Sequence, residues 1–316
     1  MTDDKILPWL LDSDVSIQYQ VHRDLLNDER PDLRQRIATE GWGADLLSRR
    51  TATGHWGRGF YQPKWTSTHY SLLELRHLNT PSVPEITETL TIILKHHKAQ
   101  DGGVDPHKTL QWSDVCINGM AMNYGCYFGM PEDDFVSVVD FLLTQHMPDG
   151  GFNCYSNYKS AVHSSLHTTL SIAEGILEYA NVGYTYRLDE LKRAEQGCRE
   201  FMLQHRLFKS DKTGAIIDKK MLMLSWPSRW RYDILRALDY FRAANVDYDT
   251  RMDDAIEVLL NKRRRDGTWP LQLKHPGQTH FDMENIGAPS LWNTLRALRV
   301  LKHFGKMENG KRRRDY

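Results

Sequence analysis

A glycine-containing turn that returns at regular spacing constrains the fold of this chain more than any other feature. In each copy an apolar segment ends, a glycine turn follows, and an aromatic or branched apolar residue comes soon after it. Gly54, Gly102 and Gly150 follow one another at intervals of 48 residues. Periods of about 20–50 residues are typical of repeat architectures. The chain is therefore expected to be built from repeated units of one kind.

Between the turns the sequence predicts pairs of helices. Segments before the turns, such as 188–200, have charged faces, whereas segments after the turns are apolar on most sides. A helix that is apolar nearly all round is buried. About six such pairs account for the repeats, and strand signals are nearly absent. We expect an all-α fold, an (α/α)6 toroid or barrel of about six helical hairpins with inner and outer rings of helices.

Composition narrows the classes of protein that fit. Lys plus Arg and Asp plus Glu are 41 each, so no net charge favours nucleic acid or an anionic membrane. No apolar run approaches the ~20 residues of a membrane span, and the start, with Asp3 and Asp4, lacks signal-peptide features. We expect a cytoplasmic protein without a transmembrane segment, formed as one domain over 1–316. Its basic end, 306–316, is expected to be disordered and solvated.

The repeat resembles that of the α/α toroid superfamily of squalene-type terpene cyclases and protein prenyltransferase β subunits. The turns Asp101-Gly102-Gly103, Asp149-Gly150-Gly151 and Asp266-Gly267-Thr268-Trp269 carry the resemblance, which extends from about Trp42 to Phe304. It implies the toroid and a central cavity. It does not imply one reaction, because a fold of this kind hosts unrelated chemistries and binding modules.

In such a toroid the starts of the inner helices meet the turn loops at one mouth, and several tryptophans fall there. Aromatic cavities suit apolar or cationic ligands. The predicted cavity lining is Trp65, His69, Trp112, Trp230, Asp233 and Trp292. The alternative is that tryptophans wedge the repeats together, which is the expectation for Trp56 and Trp269 beside their turn glycines.

The sharpest constellation of chemical groups is Asp114-Val115-Cys116, followed one repeat later by His163 and His167. Asp, Cys and His are zinc ligands, and three protein ligands leave a position for water or a substrate thiolate. Protein prenyltransferase β subunits have a matching pattern, which implies Asp114, Cys116 and His167 as a catalytic zinc set. His163 and Cys154 are substitute or additional ligands. The alternative is a helix cap at Asp114 and a small packed residue at Cys116.

Two departures from the resembled families bear on the reaction. Where the prenyltransferases have a basic residue and a tyrosine, this chain has Gln111 and Ile117, with Lys108 as a more distant cation. Where class II cyclases have the acid Asp-x-Asp-Asp, this chain has Cys116. A thiol with a pKa of about 8.5 is too weak to protonate an alkene. A squalene-cyclase reaction is therefore not expected, and the need for a helical partner subunit or an oligomer stays open.

A second cluster suits an anionic cofactor group such as a diphosphate. Arg229 and Arg231 flank Trp230 at the start of an inner helix, and Lys108 is a further candidate. Arginine presents a planar fork to phosphate, and a helix N-terminus adds its dipole. The alternative is that these arginines pair with neighbouring carboxylates.

The predicted function is that of a terpene cyclase-like or prenyltransferase-like toroid, zinc-dependent if the ligand set holds, that acts on or binds an apolar, isoprenoid-like or prenylated small molecule. Two alternatives remain. In a carbohydrate-active (α/α)6 hydrolase or lyase, Asp114 with Asp233 or Glu284 would form an acid and base pair about 5–10 Å apart. In a non-catalytic toroid, the cavity would bind a hydrophobic ligand or peptide.

Overall fold

The computed structural model describes residues 3–106, 112–156 and 159–307. Over these residues the chain is helical apart from loops, one two-stranded antiparallel sheet and isolated β-bridges, so the predicted all-α class is confirmed. Lys108, Gln111 and residues 308–316, which hold most of the predicted basic tail, lie outside the described residues. None of the described helices is both long enough and apolar enough to cross a membrane.

The described residues form thirteen α-helices. In order they are α1 (Asp3–Leu11), α2 (Val15–Val21), α3 (Pro31–Arg36), α4 (Gly41–Ser48), α5 (Thr68–His77), α6 (Pro84–His96), α7 (Val115–Tyr127), α8 (Val136–Thr144), α9 (Leu166–Asn181), α10 (Leu188–Gln204), α11 (Ile234–Ala243), α12 (Asp253–Asn261) and α13 (Leu291–His303). Strand β1 (Trp269–Pro270) pairs with β2 (Pro289–Ser290) in the loop between α12 and α13. A π-helical turn, His22–Leu26, extends α2, and short 3-10 turns occupy Lys64–Thr66, Glu132–Asp134, Lys219–Leu222 and Thr250–Met252.

Six of these helices form a closed inner ring. Contacts run from α5 to α7, α9, α11, α13 and then α2. The ring closes where the side-chain amide of Gln20 in α2 donates to the carbonyl oxygen of His77 in α5 at 3.0 Å. Each inner helix follows an outer one, giving the hairpins α1/α2, α4/α5, α6/α7, α8/α9, α10/α11 and α12/α13. This is the predicted toroid of about six hairpins.

The two predicted classes of helix are present. In the inner helix α7 every residue except Cys116 and Tyr127 is buried. The outer helix α10 buries one stripe, which contains Leu191, Ala194, Cys198 and Phe201, and exposes charged residues on its other face. Spacings of three and four residues place that stripe on one side of a helix, so α10 packs inward along a single face.

The repeated turns attach each loop to the helix that follows. Gly54, Gly102, Gly150 and Gly267 all have positive φ, between 80° and 91°, a conformation that suits glycine. The apolar residue that comes after each turn donates its backbone N–H to a side-chain oxygen in the next inner helix. These bonds are Trp56 to Thr68 at 3.0 Å, Val104 to Asn118 at 2.6 Å, Phe152 to Thr169 at 3.0 Å and Trp269 to Thr294 at 3.0 Å.

Trp56 and Trp269 wedge the repeats together, as predicted. Both side chains are fully buried. The indole N–H of Trp56 donates to the carbonyl oxygen of Leu46 at 2.7 Å, and that of Trp269 donates to the carbonyl oxygen of Leu259 at 2.7 Å. The acceptor in each case lies at the end of the preceding outer helix. Each tryptophan therefore holds an outer helix against the loop that leads to the inner ring.

Candidate functional site

The loop-bearing mouth brings two thiols together. Cys116 is the second residue of α7, and Cys154 lies in the loop between α8 and α9. The backbone N–H of Cys116 donates to Sγ of Cys154 at 3.1 Å. The hydroxyl of Thr168 accepts from the N–H of Cys154 at 3.3 Å and donates to its sulfur at 3.5 Å. The sequence named both cysteines as ligand candidates but gave no reason to expect them in contact.

The contact between the thiols separates their pKa values. A hydrogen bond from the Cys116 thiol lowers the pKa of Cys154, although burial acts in the opposite direction. The same hydrogen bond, together with burial, raises the pKa of Cys116. The negative charge of Asp114, at the N-cap position of α7, raises both. Cys154 is therefore the thiol that ionises first, stabilised by the amide and thiol of Cys116.

His167 makes its contacts with the segment that leads into α11. Its Nδ1 accepts a hydrogen bond from the backbone N–H of Tyr232 at 2.8 Å, and its ring meets that of Trp230 edge to face at 5.2 Å. Burial, reinforced by nearby arginines, lowers the pKa of His167 to about 4. The ring is therefore neutral at pH 7 and braces the loop that leads into α11.

The predicted zinc ligands do not form a metal centre in this arrangement. Within the described ranges no group of three His, Cys, Asp or Glu side chains could hold a metal ion. His163 is exposed, and one ring nitrogen of His167 is already engaged with Tyr232. Asp114, Cys116 and Cys154 are electrostatic neighbours, but no histidine completes the set. No contact among the described residues supports zinc binding, which stays a prediction.

Most tryptophans of the predicted lining are packed or exposed. Trp65 is buried and donates its indole N–H to the carbonyl oxygen of Pro276 at 2.6 Å. Trp292 is buried and stacks on Trp226 with ring centroids 4.3 Å apart. Trp112, in contrast, is 41% exposed. The aromatic side chains therefore serve mainly as packing at this mouth.

Trp230 and His69 complete the predicted lining. Trp230 is half-buried, with the Lys64 ammonium 5.3 Å and the Arg231 guanidinium 4.6 Å from its ring centroid. His69 is fully buried beside the hydroxyl of Tyr124, which lies 3.1 Å from its Nδ1. Burial lowers the pKa of His69 to about 3, so this imidazole is neutral. Trp230 presents a cation-bearing face, whereas His69 belongs to the core.

The two arginines of the predicted anion cluster differ. Arg229 is buried, and its Nε lies 3.3 Å from Oε1 of Glu74, so it pairs with a carboxylate, as in the alternative to the anion site. Burial raises the pKa of Glu74 against the opposing effect of Arg229. Arg231 makes no ion pair with any of the described residues, and its buried Nε has no hydrogen-bond partner there.

The carboxylates proposed as an acid and base pair are engaged at helix N-termini. Asp233 caps α11, accepting from the N–H of Arg236 at 2.9 Å and the hydroxyl of Ser225 at 2.6 Å. Glu284 accepts from the N–H of Leu291 and the hydroxyl of Ser290, both at 2.5 Å, at the start of α13. Burial raises the pKa of Glu284. Capping accounts for both side chains, so the geometry lends the carbohydrate-enzyme alternative no support.

The sequence did not anticipate an axial chamber at the opposite end of the ring. A cavity of about 340 Å³ is lined mainly by the C-terminal halves of the inner helices, together with Trp226 and Ser228 from the loop before α11. Its charged lining consists of six arginines, Arg23, Arg76, Arg236, Arg242, Arg296 and Arg299, and four carboxylates, Asp24, Glu174, Glu178 and Asp239. The available signal was the presence of charged residues, such as Glu174 and Glu178, three or four positions apart on otherwise apolar helices.

Ion pairs hold most of this lining in place. Arg236 binds both carboxylate oxygens of Glu174, at 2.9 and 2.5 Å. Arg299 contacts Asp239 and also Asp24, the latter at 2.8 Å. Burial alone would raise the pKa of Asp239, but Arg299 and Arg242 hold it well below its ordinary value. Asp239 therefore stays ionised, and the arginines of this lining outnumber the carboxylates by six to four.

Several polar atoms of the chamber wall are left without a partner among the described residues. They are Nε of Arg76, Nδ1 of His77, Nε1 of Trp226 and Oγ of Ser228. Burial and the guanidinium of Arg76 hold the pKa of His77 well below its ordinary value, so this imidazole is neutral. Buried polar groups are normally hydrogen-bonded, by protein, water or ligand. Their concentration on one wall marks the chamber as a place where a polar molecule would be stabilised.

Comparison with known proteins gives only distant similarity. No protein-family model matches the sequence, and none of the curated proteins matches it. Among solved structures, a protein from Actinoplanes is similar with a TM-score of 0.47 and 16% identity, over 92% of this chain and 90% of that one. A variant of the type II terpene cyclase MstE from Scytonema, in complex with its product merosterolic acid A, is similar with a TM-score of 0.34 and 14% identity, over 95% and 98%.

Proposed function

We propose that this toroid binds a polar, anionic small molecule in its axial chamber. The observation that carries the proposal is the excess of guanidinium groups over carboxylates on the chamber wall. Since His77 is neutral, the named charges leave the wall cationic. A chamber of about 340 Å³ is at the small end of ligand sites, so the ligand is expected to be small.

The physical reason is the cost of burying like charges together. Each buried guanidinium is stabilised by a carboxylate, and an excess of arginines leaves positive charge that an anion would neutralise. Arginine also offers a planar fork that matches carboxylate and phosphate oxygens. Nε of Arg76 and Oγ of Ser228, both without a partner in the described part of the chain, are further hydrogen-bonding positions for such a ligand.

The sequence predicted an apolar, isoprenoid-like ligand, and the lining of the chamber changes that expectation. Binding on the ring axis is retained, but the wall offers little apolar surface for a prenyl chain. Trp226, Leu177 and Ala243 are its main apolar members. An apolar chain beside paired buried charges would gain little from burial, because the charged groups would lose solvation without gaining partners. The anionic group is therefore proposed as the principal determinant of binding.

Thermal unfolding with added ligands tests the proposal. Inorganic diphosphate and citrate should raise the melting temperature relative to sodium chloride at equal ionic strength, since a ligand that binds only the folded state stabilises it. A prenyl diphosphate should give no larger shift than inorganic diphosphate. A larger shift with the prenyl compound would favour the isoprenoid ligand instead. No shift with any of the anions would refute the proposed function.

Two arginine variants test whether the stabilisation by diphosphate arises in the axial chamber. Arg76→Gln removes a guanidinium from the chamber wall, so the stabilisation by diphosphate should shrink. Arg49→Gln removes a surface guanidinium that pairs with Asp45 at 3.0 Å and should leave the stabilisation unchanged. Equal ligand responses in the two variants would show that the anions bind elsewhere.

A further inference from the structure

The second site suggested by the structure is at the opposite end of the ring from the axial chamber. Cys116 and Cys154 come from consecutive repeats and meet at the loop-bearing mouth, where both are partly exposed. The backbone N–H of Cys116 donates to the sulfur of Cys154, with the nitrogen and sulfur 3.1 Å apart. The other cysteines, Cys126 and Cys198, are buried. The chain therefore has one adjacent pair of partly exposed cysteines and two buried cysteines.

Lys64 lies beside this thiol pair, and Arg231 lies beside Lys64. Lys64 and Arg231 both lie over the ring of Trp230, at 5.3 and 4.6 Å from its centroid. Lys64 also interacts electrostatically with Cys116 and Asp114. Arg231 has no ion-pair partner in the described part of the chain, and its buried Nε has no hydrogen-bond partner there. The surroundings of the thiols are therefore suited to a reactant that carries negative charge, with Asp114 as the opposing charge.

We propose that Cys154 and Cys116 form a thiol–disulfide exchange site for anionic, low-molecular-weight disulfides. Cys154 is assigned as the attacking sulfur because it accepts hydrogen bonds from the backbone amide of Cys116 and from the hydroxyl of Thr168. Such donors stabilise a thiolate. Cys116 is the resolving thiol, since its own backbone N–H donates to the sulfur of Cys154. The site is independent of ligand binding in the axial chamber.

The exchange proceeds in two balanced steps. The thiolate of Cys154 attacks one sulfur of the small disulfide, whose S–S bond breaks, and one half leaves as a thiolate that takes up a proton. Cys116 then loses its proton to solvent and attacks the sulfur of Cys154. The mixed disulfide breaks and the second half leaves as a thiol. The cysteines lose two electrons in total, and the small disulfide gains them.

The product would be a disulfide bond between adjacent repeats. Cys116 lies in the first turn of α7, and Cys154 belongs to the loop that leads to α9. These two helices also make the closest packing in the inner ring, where Gly119 and Gly175 face each other. The disulfide would therefore join elements that are already held together.

Mass spectrometry of the intact protein treated with oxidised glutathione tests this assignment. The wild-type protein should lose two hydrogens, keep the thiols of Cys126 and Cys198, and yield on peptide mapping a bond between Cys116 and Cys154. Cys116→Ser should stop at one glutathione adduct on Cys154. Cys154→Ser should react at least about tenfold more slowly, because it lacks the stabilised thiolate. A different bond in the wild type, or no bond, would overturn the proposal whatever the variants do.

Charge selectivity is tested with a second disulfide. Oxidised glutathione carries net negative charge at pH 7, whereas cystamine carries net positive charge. The wild type should react faster with glutathione disulfide than with cystamine, and Arg231→Gln should reduce that ratio. Arg76→Gln, which changes the distant chamber, should leave it unaltered. Equal rates for the two disulfides in the wild type would contradict the assignment of an anionic reactant.

Discussion

At the scale of single residues, the most consequential feature is the burial of neutral histidines in a protein rich in arginine. His69 is fully enclosed, and its Nε2 finds no hydrogen-bond partner among the described residues. His167 and His275 also have lowered pKa values, in both cases chiefly because of burial. Sequence alone marked His69 as a cavity residue, because residue type and position cannot distinguish a cavity wall from a packed core.

The burial of His69 predicts a loss of stability in mild acid. Its pKa falls to about 3 in the folded state, whereas the unfolded chain takes up a proton below about 6.5. The stabilisation is complete above pH 6.5 and is lost as the pH falls towards 3, reaching a loss of about 2 kcal/mol at pH 5. Urea unfolding at pH 7 and pH 5 should therefore show a smaller decrease for His69→Gln than for the wild type.

An exposed histidine supplies the comparison for this measurement. His163→Gln should leave the difference between pH 7 and pH 5 as it is in the wild type, because this side chain is exposed. If His69→Gln and His163→Gln show equal pH dependence, then His69 is not the source of the acid sensitivity.

At the scale of elements, the seam between α7 and α9 is the tightest contact in the inner ring. A Cβ atom placed on Gly175 would lie 2.4 Å from the carbonyl oxygen of Gly119, and one on Gly119 would lie 2.8 Å from that of Ser171. These obstructions are backbone atoms, which cannot turn aside as a side-chain tip can. The seam sets the separation of the two helices whose beginnings carry Cys116 and Thr168, so backbone packing positions the thiol site.

The seam predicts unequal effects for two glycine substitutions. Gly175→Ala should lower the free energy of unfolding by about 2 kcal/mol or more, because the helices must separate. Gly125→Ala, also in an inner helix, should cost less than Gly175→Ala. Its Cβ would lie 2.7 Å from the ring edge of Phe135, a side chain rather than backbone, and a gain of about 1 kcal/mol in helix propensity offsets part of the cost of moving that ring. Denaturant unfolding measures both, and similar losses in the two variants would contradict the role of the seam.

At the scale of the whole molecule, Arg299 closes the ring. It is nearly buried in α13 and binds Gln20 at 2.9 Å and Asp24 at 2.8 Å, next to the first hairpin, as well as Asp239 in α11. Its charge is the main reason that the pKa of Asp24 is held at about 2, against the opposing effect of burial. The two ends of the chain's helical repeat thus meet through one guanidinium.

Loss of the Arg299 side chain should destabilise the closed ring. Arg299→Met leaves Asp24 and Asp239 with fewer partners in a low-dielectric setting, so a loss of about 3–5 kcal/mol is expected. Arg49→Met removes an exposed pair with Asp45 and should cost less than about 1 kcal/mol. Denaturant unfolding compares the two. A cost below that of the surface pair would show that closure depends on apolar packing alone.

The sequence by itself determined the all-α class, the repeat and the wedge role of Trp56 and Trp269, because helix periodicity and glycine turns are local properties of the chain. It also named Cys116 and Cys154, though only as possible ligands. Their contact, the turning of His167 towards Tyr232 and the charged axial chamber were decided by the tertiary structure. Each depends on which faces of distant helices point inward. The ring geometry sets those directions, and no local pattern encodes them.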